Sequence, residues 1–339
     1  MEHKETITII GDGAMGLVCA MILSRNGHDV TLWTAFPDAV QELRRLRGNP
    51  RRLPDAALPA GVSITADDVT CFSRATLVVS AVPGQYVRSV WKRLQPYVPP
   101  LLPIVSITKG IENQTLMRPS QIIAQVLDGS ADAPRRPLAV LSGPNIAGEL
   151  ARRLPATAVA AGSDQAIARR VQQAFTNAEY RVYTNTDCIG VELAGAMKNV
   201  IALAAGIVDG LGLGHNAKAA LVTRGLVEIA RLGVAMGAKE PTFNGLTGLG
   251  DLITTCTSPE GRNRRVGEML GKGMKLPNIL ASMDSVVEGV PTTQSVMQLA
   301  HQYNVEMPIT AAVSSILFDN VTPREALTQL MTREHRAEA

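Results

Sequence analysis

Along the first half of the chain, short β-branched and apolar runs recur at intervals that leave room for helices between them. They are TITII at 6–10, DVTLW at 29–33, TLVVSAV at 76–82, PIVSIT at 103–108 and LAVLSG at 138–143. Runs this short and this apolar, bounded by turn residues, predict strands buried on both faces. Helical spacing follows the first run through Leu23 and returns at 37–47 and 83–94. Residues 48–61, with their prolines and arginines, predict a loop. A further strand pair is expected at 156–161 and 180–184. Alternation of this kind predicts a parallel sheet with crossover helices.

The pattern changes near Ile189. From there Ala, Leu, Gly and Met dominate at helical spacing, and helices are expected at 189–208, 216–237, 262–272, 276–283, 289–303, 308–318 and 323–332. The expected fold class is α/β. A doubly wound sheet occupies residues 1–188 and an all-helical domain residues 189–339.

Composition narrows the partners. The chain has 339 residues, of which 46% are apolar, enough for two domains with cores. A net charge of +3 favours anionic ligands weakly and makes no case for nucleic acid. The basic clusters at Arg44, Arg45, Arg47, Arg51 and Arg52 and at Arg262, Arg264 and Arg265 read first as solvated faces. Four scattered cysteines have no metal-ligand spacing and suit a reducing, cytoplasmic compartment; Cys256 reads as a small buried thiol. No metal site is expected. The short, charged opening MEHKET is not expected to be a leader, and no apolar run reaches about 18 residues, so no membrane span is expected. The histidines His3, His28, His301 and His335 are isolated, and no Ser-His-Asp set is present.

Two stretches carry the chemistry. Gly11, Gly13 and Gly16 form G-x-G-x-x-G between the first strand and its helix. Gly11 permits the tight turn, Gly13 lets backbone approach a pyrophosphate, and Gly16 permits close helix–strand packing. The domain is thus a Rossmann-like dinucleotide binder. No acid ends the second strand, where Trp33 is followed by Thr34, Ala35 and Phe36, and the arginines at 44–52 are able to approach a ribose phosphate. NADP is therefore slightly favoured over NAD. The second stretch, GLTGLGDLITTCTSPEGRNRR at 245–265, sets Asp251, hydroxyls including Thr255, and Arg262 with Asn263 in an otherwise apolar half. Arg262 at a helix start suits a phosphate. Asp251 is either a helix cap or a partner for a lysine or a substrate hydroxyl. Lys198, with Asn199 beside it, stands on an apolar helix and either snorkels outward or is held in a pocket, where burial favours proton transfer near neutral pH. Lys109 follows the fourth strand at the sheet edge where ligands bind. Gly143 and Pro144 either expose amides to a ligand or simply start a helix.

With these segments assembled, the chain resembles the bacterial NAD(P)-dependent glycerol-3-phosphate dehydrogenases over nearly its whole length. LSGPNIAGE, GVELAGAMKNVIALAAGIVDGLGLGHNAKAALVTRGLVEIARLG, GLTGLGDLITTCTS with RNRRVG, and VVEGVPTT carry the likeness. The resemblance implies interconversion of dihydroxyacetone phosphate and sn-glycerol 3-phosphate for phospholipid synthesis by a homodimer, with Lys198 as the proton-transfer residue and Asp251 beside it. It places Lys109, Gly143, Asn145, Asp251, Gly261, Arg262 and Asn263 at the substrate. It places Ala14, Met15, Lys109, Ala147, Arg262, Val286 and Glu288 at the dinucleotide. Ala35 and Phe36 stand where the family often has His or Arg, Arg52 where it often has Tyr, Gly261 where Ser is common and His215 where Asp is common. The architecture alone also permits a two-domain 2-hydroxyacid or ketopantoate-type reductase.

Overall fold

A computed structural model describes residues 4–54, 56–129, 135–283 and 286–334; His3 and His335 lie outside the described residues. The first half runs β1 (Thr6–Ile10), α1 (Ala14–Arg25), β2 (Asp29–Trp33), α2 (Ala39–Leu46), β3 (Ser63–Thr65), β4 (Leu77–Ser80), α3 (Val87–Leu94), β5 (Ile104–Ser106), α4 (Pro119–Asp128), β6 (Leu138–Ser142), α5 (Ala147–Ala151), β7 (Ala156–Gly162), α6 (Gln165–Phe175) and β8 (Tyr180–Asn185). The strands make one sheet in the order β3-β2-β1-β4-β5-β6-β7-β8. Every pairing is parallel except β6 with β7, so β7 and β8 run against the rest and the sheet is mixed, not wholly parallel. Strand order reverses between β1 and β4, and the crevice beyond their carboxyl ends is the ligand-binding position of such sheets.

The second half comprises α7 (Cys188–Gly210), α8 (Gly214–Ala235), α9 (Glu240–Phe243), a π-helical turn over Leu246–Gly250, α10 (Asp251–Thr257), α11 (Arg262–Gly271), α12 (Leu276–Ala281), α13 (Gly289–Gln302), α14 (Pro308–Phe318) and α15 (Pro323–Met331). Every residue from Gly190 to Ile207 is buried, so α7 is the axis around which the other helices pack. By length and composition α7 is apolar enough to cross a membrane, although Glu192, Lys198 and Asp209 interrupt its apolar run, and the qualifying window lies wholly inside the protein, as a core helix does.

The approach of α11 to α7 rests on missing side chains. A Cβ on Gly206 would overlap the Arg264 carbonyl oxygen, and one on Gly267 would overlap that of Leu203. Contact at backbone distance fixes α11, and with it the Gly261-Arg262 turn, relative to Lys198. The remaining surfaces of α7 meet Ile229, Leu252, Val266, Val296 and Val313 in one apolar cluster.

Candidate active site

At the sheet edge, Gly11 leaves β1 with φ +117°, a conformation closed to side chains in practice, and a Cβ there would lie 2.8 Å from the Ala81 carbonyl oxygen. The turn therefore hugs the end of β4. Gly13 precedes α1 without any side-chain cap, and a Cβ on it would meet no protein atom within 4 Å. The amino end of α1 thus opens on clear space, as a pyrophosphate site requires. Ala14 and Met15 begin α1 and pack partly on the sheet core, as does Ala147 at the start of α5. Across the crevice, Glu288 sits on the backbones that follow β4 and β5. Its Oε1 accepts from Gly84 N–H at 3.0 Å, and its buried Oε2, beside Gly84 and Gly110, has no partner. Burial raises the Glu288 pKa, against the Gly84 N–H and the nearby Arg262 charge. A glycine turn, an uncapped helix end and an unpartnered buried acceptor together fit a dinucleotide.

The arginines expected near a ribose phosphate divide. Arg44 donates to Ile64 O (2.6 Å), and Arg47 donates to the carbonyls of Pro59 and Val62; both serve to fold the loop before β3. The Arg52 charge reaches Asp12 in the glycine turn and Arg262. At the end of β2, Phe36 is 64% exposed, and Arg93, paired with Asp68 (2.7 Å), donates to Ala35 O (3.1 Å) and lies over the Trp33 ring.

The chemical centre is a buried carboxylate between two lysines. Asp251, 1% exposed, accepts from Lys198 Nζ on Oδ1 and from Lys109 Nζ on Oδ2 at 2.6 Å. Asp251 is the first residue of α10 and caps nothing, because its side chain turns inward to the ammonium groups. Lys198 also donates to Thr255 Oγ1 at 2.5 Å, while the Thr255 hydroxyl donates to Asp251 O at 2.6 Å. Lys109 donates in addition to Gly143 O at 2.9 Å. Gly143 has φ +147°, and a Cβ there would lie 2.9 Å from Ala158 Cα. Burial pushes the Lys198 pKa down to about 8; Asp251 opposes the shift and Lys109 reinforces it. A lysine that titrates near neutrality in a buried, hydrogen-bonded position is equipped to exchange a proton.

The amides next to this centre form a chain. Asn199 Nδ2 donates to Lys109 O (3.3 Å), Asn263 Nδ2 to Asn199 Oδ1 (2.9 Å), and Gly289 N–H to Asn263 Oδ1 (3.0 Å). Asn263 therefore faces inward, whereas Arg262 is exposed at the head of α11 and donates to Val286 O at 3.3 Å. Gly261 caps α11 with backbone only. Asn145 donates weakly to Thr157 O (3.5 Å), and its buried Oδ1 has no partner. Other hydroxyls of the polar stretch satisfy local backbone: Thr254 donates to Gly250 O, Thr257 donates to Ile253 O, and Ser258 Oγ accepts from Glu260 N–H. His215 is exposed at the start of α8, and His28 bridges Glu5 N–H and Ala174 O. Two contributors escaped the sequence reading: the Gly84 amide that seats Glu288, and Gly195, whose bare Cα lets α7 pass Ser142 and the Lys109 arm. Gly195 stands one turn before Lys198 and Asn199, and that spacing was the available signal.

Residues 6–168 match the model of the NAD-dependent glycerol-3-phosphate dehydrogenase N-terminus, and residues 187–328 that of its C-terminus. A glycerol-3-phosphate dehydrogenase [NAD(P)+] of Salinibacter ruber is 48% identical, covering 98% of this chain and 96% of its own. One from Geobacter sp. (strain M21) is 47% identical over 98% and 99%. The crystal structure of glycerol-3-phosphate dehydrogenase from Coxiella burnetii superposes with TM-score 0.92 at 36% identity, covering 97% of this chain and 99% of that one. A ketopantoate reductase family structure from Ralstonia eutropha reaches TM-score 0.61 at 17% identity, a likeness of fold alone. The chain belongs to the NAD-dependent glycerol-3-phosphate dehydrogenase family.

Proposed function

We propose that the protein interconverts dihydroxyacetone phosphate and sn-glycerol 3-phosphate with NAD(P)H, supplying the phosphorylated backbone of glycerophospholipids. The observation that carries this reading is the Asp251 carboxylate buried between Lys198 and Lys109. The chemistry a bound nicotinamide dinucleotide supplies is hydride donation to, or acceptance from, C2 of the substrate. Gly11, Gly13, Ala14, Met15, Gly16, Ala147, Val286 and Glu288 would hold it, with the unpartnered Glu288 oxygen taking one of its N–H groups.

Lys198 moves the proton. As an ammonium it has three N–H bonds; Asp251 and Thr255 take two, and the third is left for the substrate oxygen at C2. In reduction it protonates the developing alkoxide, and in oxidation its neutral form removes the hydroxyl proton. Lys109, held by Asp251 and Gly143, adds positive charge where negative charge develops. Thr255 acts through Lys198. Arg262 and the amides at the start of α11 take the phosphate, fixing C2 against the lysine. Gly143, Asn145, Asn199 and Asn263 complete the substrate wall, and Gly261 lends only its backbone.

The reading divides the chain near residue 188 into a dinucleotide half and a substrate half, and places a homodimer in the cytoplasm; the four unpaired cysteines suit that compartment. Initial rates with dihydroxyacetone phosphate and each reduced cofactor test it. Turnover of this ketone with either cofactor is expected, and faster turnover of a 2-keto acid or ketopantoate would overturn it.

A further inference from the structure

Arg262 makes a long hydrogen bond within the protein, to Val286 O, and also interacts with the Glu288 charge, but neither fixes the backbone turn that carries it. That turn is pinned at the Ser258 carbonyl, which accepts from Gly261 N–H at 3.2 Å and from Arg264 Nε at 3.0 Å. The same guanidinium pairs through Nη1 with Asp209 Oδ2, and its Nη2 lies 3.4 Å from Glu268. Its side chain is only 15% exposed. Asp209 lies on α7 about three turns beyond Lys198, on the same face of the helix. One helix therefore carries the proton-transfer lysine at one point and the anchor of the Arg262 turn at another. Lys218 Nζ also reaches Asp209 at 2.5 Å, but on the other oxygen, and among the described residues it makes no ion pair with the turn.

We propose that Arg264, with Asp209, is a positioning residue for substrate phosphate: it clamps the Ser258–Gly261 turn to α7 and so sets the reach from phosphate to Lys198. Two planar donors on one guanidinium hold a carbonyl and a carboxylate at once, which a single point charge does not do. The pair touches no substrate and acts through the orientation of Arg262 and the α11 amides. This inference rests on the reading of Arg262 as the phosphate ligand.

The test uses two substrates, dihydroxyacetone phosphate and dihydroxyacetone, which lacks the phosphate. Arg264→Ala and the isosteric Asp209→Asn should raise KM for dihydroxyacetone phosphate about tenfold with kcat within about twofold, and leave kcat/KM for dihydroxyacetone unchanged. Lys218→Ala, which leaves the clamp in place, should keep the wild-type KM. Asp209→Asn retains the packing, so it decides the matter should Arg264→Ala fail to fold. An unchanged KM for the phosphate in a folded clamp variant overturns the proposal, and so does an equal loss on both substrates, which would mark general damage to the site. Arg262→Ala runs alongside. If it leaves KM for dihydroxyacetone phosphate unmoved, the phosphate reading itself fails; if it raises KM while the clamp variants do not, only the clamp fails.

Discussion

Asp251→Asn isolates what the buried carboxylate does, because it keeps shape and removes charge. Burial pulls the Lys198 pKa down to about 8, and the Asp251 charge keeps it from falling further. An opposite charge at this range holds a lysine up by roughly one to three pH units. Without it, Lys198 and Lys109 face each other with no anion between them, and like charge adds to burial. At pH 7 a lysine titrating near 8 is about nine-tenths protonated; lowered by roughly two pH units it is about one-tenth protonated. Reduction of the ketone needs the protonated form, so its rate at pH 7 falls about tenfold from protonation alone. At pH 5.5 most of that loss should disappear.

The assay is kcat/KM for dihydroxyacetone phosphate from pH 5.5 upward at saturating reduced cofactor, read by nicotinamide absorbance. The wild type should lose rate above about pH 8, and the variant should lose it from a limb displaced to lower pH. A lower plateau is compatible with the reasoning, since Asp251 also orients Lys198. A limb that stays in place, or moves to higher pH, refutes it, because Asp251 would then not set the proton affinity of Lys198.

Further outcomes follow from the same geometry. Lys198→Ala should lose most turnover, at least about a hundredfold, while dinucleotide binding measured by fluorescence titration survives; near-normal turnover would remove Lys198 from the chemistry. Gly206→Ala should destabilise by more than about 2 kcal/mol in urea unfolding, since its Cβ overlaps the Arg264 carbonyl oxygen; an unaltered midpoint would contradict the close α7–α11 contact. Ala35→Asp should cut kcat/KM for NADPH at least about tenfold and spare NADH, and equal losses would place the ribose phosphate elsewhere. Finally, the Lys198 pKa lies lower in the folded protein than in the open chain. The unfolded state therefore holds more of that proton between about pH 8 and 10.5, and stability due to this group rises with pH across that window. Relative to Lys198→Met, the wild type should gain up to about 3 kcal/mol from pH 8 to 10.5, and a pH-independent difference would contradict the shift.

The β-branched runs of β1, β2, β4, β5 and β6 and the apolar length of α7 were legible because burial on both faces leaves few polar positions. Elements with weaker patterns were not: β3 has three residues, and α4 and α6 carry mixed polar faces over Pro119–Asp128 and Gln165–Phe175. The reversal of β7 was also hidden, since hydrophobic alternation does not encode strand direction. Within the site, residue types were readable but orientations were not. Asp251 satisfied the pattern of a helix cap and of a lysine partner equally well, and only the fold turns it inward. Asn263 stood beside Arg262 as if to point the same way, yet a helix sends adjacent side chains about 100° apart, and Asn263 is held within the buried amide chain while Arg262 is exposed.

Long-range pairing explains why the charge triad in particular escapes sequence reasoning. Lys109 and Asp251 are 142 residues apart, and Lys198 and Asp251 are 53 apart. Lys109 leaves the sheet, Lys198 belongs to the central helix, and Asp251 heads a short helix after a π-turn. Their meeting depends on three close approaches at glycine: Gly143 beside the Ala158 backbone, Gly195 beside the Ser142 hydroxyl, and Gly248 against the Phe243 backbone. Replacing any of these glycines would leave every titratable residue in the chain and still separate the two ammonium groups from the carboxylate. The chemistry therefore depends as much on where side chains are missing as on Lys198 and Asp251 themselves. For that reason Gly195→Val should lower kcat even though residue 195 touches neither substrate nor proton. A Gly195→Val variant with normal kcat and the wild-type pH limb would show that the lysines find Asp251 without α7 lying close to the sheet edge.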